Sequence, residues 1–89
     1  MTRDQIRDVV LQSLRGVAPE LDPATLQPAQ ELREQLEIDS FDFLNFIIAL
    51  DKKLSVPIPE SDYRRLGTLN DCVDYLAARL QPPAIEKGA

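Results

Sequence analysis

The stretch Ile38-Asp39-Ser40-Phe41-Asp42-Phe43-Leu44-Asn45-Phe46-Ile47-Ile48-Ala49-Leu50-Asp51-Lys52-Lys53-Leu54 decides the fold of this chain. From Ser40 to Leu54 it has neither proline nor glycine, so nothing interrupts a helix. Asp39 is a good N-cap, since its carboxylate can accept from an unpaired first-turn N–H group. Asp42 falls in that first turn, where the helix dipole favours an anion. Phe43, Phe46, Ile47, Leu50 and Leu54 make one apolar stripe at i, i+3, i+4, i+7, i+11 spacing. Phe41, Leu44 and Ile48 make a second at i, i+3, i+7. One stripe can face a core. The second is expected to stay partly exposed in so small a bundle, and exposed apolar patches mark contact with something. A central helix buried on most sides is the alternative.

Working outward, the seven prolines and three glycines fall between periodic segments. Toward the N-terminus, Arg3–Arg15 reads as a helix opened by a capping box, Thr2 with Gln5. Its stripe is Ile6, Val9, Val10, Leu14 and Val17, and Gly16 lies at its C-cap. Between the two helices, residues 16–38 contain Pro19, Pro23 and Pro28 and cannot be one helix. Leu21, Leu26, Leu32, Leu36 and Ile38 can pin this connection to the core, and Glu31 to Gln35 can form a helical turn. Loops this long inside compact domains are commonly functional. Toward the C-terminus, Val56-Pro57-Ile58-Pro59 leads into a short helix near Glu60 to Arg65. A last helix, Leu69 to Leu80, is opened by Thr68-Leu69-Asn70-Asp71, with Leu69, Cys72, Val73, Leu76, Ala77 and Leu80 as its stripe. Residues 81–89 carry two prolines and no periodicity and read as a disordered tail. No strand alternation and no repeat is present. The expected fold is all-α: one domain over residues 1–80, an up-and-down bundle of three main helices plus one short helix.

Charge narrows the function. The 89 residues carry a formal net charge of −5 and no histidine. A negative chain repels phosphate backbones and anionic membranes, so nucleic acid is a poor partner and a basic protein surface a good one. Five acids, Glu31, Glu34, Glu37, Asp39 and Asp42, against the single base Arg33 place −4 of that −5 between residues 31 and 42. An acidic collar beside an apolar stripe steers a basic partner. Without histidine the usual base for a serine nucleophile is missing, which argues against a hydrolase. The lone Cys72 lies on an apolar stripe and reads as a core residue; it cannot form an internal disulfide, which fits a reducing compartment. No apolar run is long enough to span a membrane, and the polar N-terminus does not look like a signal peptide. A cytoplasmic monomer is the expectation. No metal-ligand spacing and no Gly-rich phosphate loop is present. Tyr63 and Tyr75 read as packing residues with solvated hydroxyls, and Arg64-Arg65 as a solvated helix end.

The segment Leu36-Glu37-Ile38-Asp39-Ser40-Phe41-Asp42 resembles the Asp-Ser-Leu-Asp motif of acyl carrier proteins. The resemblance continues through Ile47, Ala49, Leu50 and Asp51, through Val56-Pro57-Ile58-Pro59, and through Leu66-Gly67-Thr68-Leu69 with Asp74-Tyr75-Leu76. It covers about residues 2 to 80. A bare Asp-Ser also reads as a helix cap; in an acidic four-helix pattern of this length it is a strong signal. The resemblance implies an acyl-carrier-like bundle and a covalent carrier rather than an enzyme. It implies that Ser40 receives 4′-phosphopantetheine from coenzyme A through a phosphopantetheinyl transferase. Asp39 is implied to help hold that transferase's magnesium. Acyl groups would then ride as thioesters to acyl-loading and acyl-using enzymes with basic docking surfaces, in fatty acid, polyketide or a specialised acyl pathway. Glu37, Phe41, Asp42, Leu44, Asn45 and Ile48 are the implied partner-facing residues. A helix N-terminus, with its free N–H groups, suits a phosphodiester.

Four departures from that family's pattern point to a specialised carrier. Phe41 stands for the usual leucine, Asn45 for a glutamate, Lys52 and Lys53 for acids, and Glu37 for a glycine. An aminoacyl or peptidyl carrier is a second reading, against which Glu37-Ile38 stands where two glycines are usual. An unmodified helical interaction module, using Phe41, Leu44 and Ile48 alone, is a third. Phe43 and Phe46 fill core volume, which favours cargo that is short or mostly exposed to solvent.

Overall fold

The computed structural model describes residues 1–80, so the tail expected at 81–89 lies outside the described residues. Among the described residues there are five helical elements and no strand: α1 (Arg3–Arg15), α2 (Leu32–Gln35), α3 (Ser40–Leu54), a 3-10 helix (Glu60–Leu66) and α4 (Leu69–Leu80). The three long helices have the bounds that their patterns predict. The turn expected at Glu31 to Gln35 is a one-turn α-helix, so the bundle has two short elements instead of one. The element at 60–66 is 3-10 throughout. Its brevity between Pro59 and Gly67 suits that tighter geometry.

Caps fix the ends. The Thr2 hydroxyl accepts from Gln5 N while the Gln5 side chain accepts from Thr2 N, closing the capping box. The Thr68 hydroxyl accepts from Asp71 N at 3.0 Å at the start of α4. Gly16 caps α1 in right-handed geometry, so its lack of a side chain is not needed there for a positive φ. Ser55 ends α3 in the left-handed region, φ 54°.

α1 packs against both α3 and α4, and the 3-10 helix packs on α4. Ile6, Val10 and Leu14 of α1, Phe46, Ile47 and Leu50 of α3, and Leu69, Cys72 and Leu76 of α4 meet in one core. Val9 and Val17, on the expected α1 stripe, are only partly buried, whereas Leu11 is buried. Ser13 is buried as well, and its hydroxyl has no partner among the described residues.

The long connection is held by its own bonds as well as by the core. Leu21, Leu26, Leu32 and Ile38 are buried, and Leu36 packs beside them. The Gln35 side chain accepts from Gln27 N and donates to the carbonyls of Gln27 and Gln30. Leu32 N donates to Gly67 O and Asn70 N to Pro28 O, tying the loop to the start of α4. α2, and whatever it carries, is thus fixed relative to the bundle.

One expectation on the far side of the core needs correction, and a second needs adding to. The Tyr75 hydroxyl is not solvated: it donates to Asp62 at 2.6 Å. Arg64 and Arg65 are exposed at the helix end as expected, but Arg65 also has partners. It lies 5.1 Å over the Tyr75 ring, with Arg79 4.5 Å over the same ring, and both guanidinium groups also pair with Asp62. Cys72 is in the core as expected. Its thiol donates to Leu66 O, and burial first, then the Asp71 charge, pushes its pKa far up, so it is no nucleophile.

Candidate functional site

Ser40 is the first residue of α3 and is exposed. Its position follows from Asp39, whose extended backbone and carboxylate cap the helix by accepting from Asp42 N at 2.8 Å. Just before the cap, Glu37 sits in the left-handed region at φ 53°. A glycine is usual where the backbone takes that conformation, because a Cβ crowds the following carbonyl. The chain therefore makes the sharp turn into α3 with a strained glutamate.

The outward face of α3 carries Phe41, Leu44, Asn45 and Ile48, all exposed and all within one i, i+3, i+4, i+7 set. Phe41 is 69% exposed, Leu44 36% and Ile48 40%. The second apolar stripe thus lies open, and the alternative of a helix buried on most sides does not hold. Asp42 and Glu37 do not join this face. They line a separate cavity of about 420 Å³ under the loop, together with Val17, Leu21, Leu26 and Ile38. The six residues expected on one partner-facing surface thus divide into four on the face of α3 and two beside the loop.

On the other flank of Ser40 lies a groove of about 310 Å³ lined by Arg33, Ser40, Phe43, Leu44, Tyr63 and Arg64. It runs between α3 and the 3-10 helix. Arg33 Nη2 donates to Ser40 Oγ at 3.0 Å, and the Arg33 guanidinium is 6.0 Å from the centre of the Phe43 ring. Phe43 in turn meets the buried Phe46 ring at 5.9 Å between centroids. The sequence pattern did not point to Arg33, Tyr63 and Arg64 as neighbours of Ser40. The available signal was that Arg33 is the one base among five acids from Glu31 to Asp42.

An exposed hydroxyl at a helix N-terminus, with a guanidinium on its oxygen and an apolar-floored groove beside it, fits a phosphodiester and the arm that follows it. Among the described residues no group of three or more His, Cys, Asp or Glu could hold a metal ion, and the chain has no histidine. No helix among the described residues is long and apolar enough to cross a membrane.

Comparison with known proteins agrees with this geometry. The family described as "Phosphopantetheine attachment site" matches residues 8–76. The chain is similar to the acyl carrier protein of Campylobacter fetus subsp. fetus, 33% identical over 73 residues, covering 82% of this chain and 88% of that one. The acyl carrier protein of Campylobacter concisus is 32% identical with the same coverage. Among solved structures, a proposed acyl carrier protein from Anaplasma phagocytophilum superposes with a TM-score of 0.78 at 26% identity, covering 91% of this chain and 94% of that one. A chain of the curacin-pathway HMG synthase complex with acetyl donor-ACP superposes at 0.72 with 27% identity, covering 88% and 99%. With the fold, the exposed helix-start serine and the match over most of its length in agreement, the chain belongs to the acyl carrier protein family, carriers of 4′-phosphopantetheine that are not themselves enzymes.

Proposed function

We propose that Ser40 is the attachment point of the 4′-phosphopantetheine arm and that the chain presents acyl intermediates to the enzymes of a fatty acid, polyketide or specialised acyl pathway. The observation that supports this most is the placement of Ser40: the first residue of α3, exposed, with its hydroxyl at the mouth of a groove. In the attachment step Oγ forms a bond to the β-phosphorus of coenzyme A, the phosphoanhydride bond to the adenosine half breaks, and the hydroxyl proton leaves to a base of the transferase. When bound, the arm supplies a thiol that holds acyl groups as thioesters. What this chain does is orient Oγ and offer a docking face. Asp39 has one carboxylate oxygen engaged in the cap and the other free to reach the transferase's magnesium.

The partner surface is the face of Phe41, Leu44, Asn45 and Ile48, and the acids of residues 31–42 lead in sequence to its Ser40 end. Asn45, Lys52 and Lys53 leave the later turns of α3 less acidic, which favours partners other than standard fatty acid synthesis enzymes. The neighbour in complex with HMG synthase is an example of a chain of this shape together with an enzyme.

The test is the intact mass after incubation with coenzyme A, magnesium and a broad-specificity phosphopantetheinyl transferase, beside Ser40→Ala. A gain of one phosphopantetheine that Ser40→Ala lacks is expected. The same gain in Ser40→Ala would move the attachment elsewhere. A folded chain that takes no arm from any transferase would leave the interaction module, for which the open apolar face already speaks.

A further inference from the structure

Among the seven arginines, Arg33 is the one whose guanidinium bonds Ser40, while Arg7, Arg15 and Arg64, like Arg33, have no carboxylate partner among the described residues. Arg3, Arg65 and Arg79 each pair with a carboxylate, Asp74 or Asp62. Arg33 has no carboxylate within 4.0 Å among the described residues, although acids surround it in sequence. Its guanidinium turns instead to Ser40 Oγ at 3.0 Å and to the Phe43 ring. It is held there from behind. α2 is tied to the turn before α4 through Leu32 N and Gly67 O, and Arg33 O accepts from Ile38 N at 3.2 Å, closing the turn from Arg33 to Ile38 just ahead of Ser40.

We propose that Arg33 is a clamp for the phosphodiester on Ser40 and that it directs the arm into the groove between α3 and the 3-10 helix. This rests on Ser40 being the attachment point. Once Oγ is esterified, phosphorus is one bond from the atom that Arg33 already touches, and the two non-bridging oxygens are two bonds away. A guanidinium matches such oxygens with a pair of parallel N–H donors, which a lysine cannot do. The diester's negative charge then meets an adjacent cation that no carboxylate neutralises, in an otherwise acidic collar. Beyond the phosphate, the groove offers Phe43, Leu44 and Tyr63 as an apolar floor with Arg64 on its far wall. The apolar part of a pantetheine chain suits that floor, and its amides suit the rim.

Arg33 is exposed, so replacing it leaves the core intact, which an amide fingerprint spectrum of the apo variant checks. The experiment compares holo wild type, Arg33→Ala and Arg33→Lys by the ³¹P resonance of the diester during a sodium chloride titration. Nuclear Overhauser effects are read from the arm's geminal methyl groups to the Phe43 and Tyr63 rings. In wild type the ³¹P resonance is expected away from that of a free pantetheine phosphodiester and to move toward it as salt rises, with effects to both rings at low salt. Arg33→Ala is expected at the free position at every salt concentration, with no effect to either ring, and Arg33→Lys in between. Identical resonances and ring effects in wild type and Arg33→Ala would overturn the clamp while leaving Ser40 as the attachment point. No mass gain in wild type would overturn the attachment reading and the clamp with it.

Discussion

The two faces of α3 are made of the same kinds of side chain and have opposite fates. Phe46, Ile47 and Leu50 are at most 1% exposed, while Phe41, Leu44 and Ile48 on the opposite side are 36–69% exposed. Residue type does not separate them. What does is the direction from which α1 approaches, since a helix packed on one side can bury only one stripe. A bundle this small cannot supply a second layer, so the outer stripe stays available to something else. The inner face therefore answers for stability, and the outer one, with Ser40 at its head, is the surface proposed above for partners.

Phe46→Ala should give the largest effect and would break the comparison if it did not. Phe46 is fully buried and packs on Phe43, so the truncation removes a large apolar volume and leaves a cavity. A loss of about 3–5 kcal/mol is expected. Against a total of about 5–15 kcal/mol for a typical domain, that is a large fraction of the whole. Urea denaturation reads it. A loss below about 1 kcal/mol would mean that the inner face is not what holds α3 in place.

Tyr75→Phe probes the core from its far side. It removes one hydrogen bond to a charged group and keeps the ring, so a loss of stability at neutral pH smaller than that of Phe46→Ala is expected. Its pH dependence distinguishes it from a packing defect. The Tyr75 hydrogen bond, then Arg65 and Arg79, hold Asp62 below its ordinary 3.8. Burial, then the bond to Asp62, raises Tyr75 above its ordinary 10.0. A carboxylate with a lowered pKa stabilises the fold above its unfolded value, and that contribution is lost as pH falls through the folded value. A tyrosine with a raised pKa stabilises below its unfolded value, and loses that contribution as pH rises through the folded one. The gap between wild type and Tyr75→Phe should therefore be widest between about pH 5 and 9 and narrow below pH 4 and above pH 10. A gap independent of pH would sink the ionic account.

Glu37→Gly should act in the opposite direction. Glu37 holds φ 53° at the turn that sets where α3 begins. A non-glycine residue there costs about 1–2 kcal/mol, partly offset by the freedom that glycine gains in the unfolded chain, so a net gain of up to about 1 kcal/mol is expected. Glu37→Ala separates the causes: it removes the charge but keeps the Cβ, and should not stabilise. If both variants melt together, charge and not backbone is what matters at that position.

The periodic part of this protein was legible in its sequence. Asp39 and Thr68 announced helix starts, apolar spacing gave the bounds of α1, α3 and α4, and the surplus stripe of α3 marked its open face. Arg33 and Asp62 were not legible, for the same reason. Each acts on residues that the fold alone brings close: Arg33 on Ser40 seven positions away, Asp62 on Tyr75 and Arg79 thirteen and seventeen positions away. The division of Glu37 and Asp42 from Phe41 was also hidden. A step of one residue turns a side chain by about 100° round the helix, enough to put Asp42 over the loop cavity and Phe41 in solvent.

Phe41→Ala should have the smallest effect on folding, and it tests the outer half of the comparison. With its ring 69% exposed, the substitution should leave stability within about 0.5 kcal/mol of wild type. An exposed aromatic beside the proposed attachment serine is, however, the kind of side chain on which interfaces concentrate their energy. The phosphopantetheinyl transferase is the partner to use, because Phe41 is the exposed neighbour of the serine it would modify. We expect kcat/KM for arm attachment to fall about tenfold, corresponding to about 1.4 kcal/mol, with the melting temperature unchanged. Leu44→Ala, one turn further on, should show a weaker version of the same pattern. If attachment proceeds at the wild-type rate in both, the open stripe is not part of the surface that the transferase reads, and a different partner must account for its exposure.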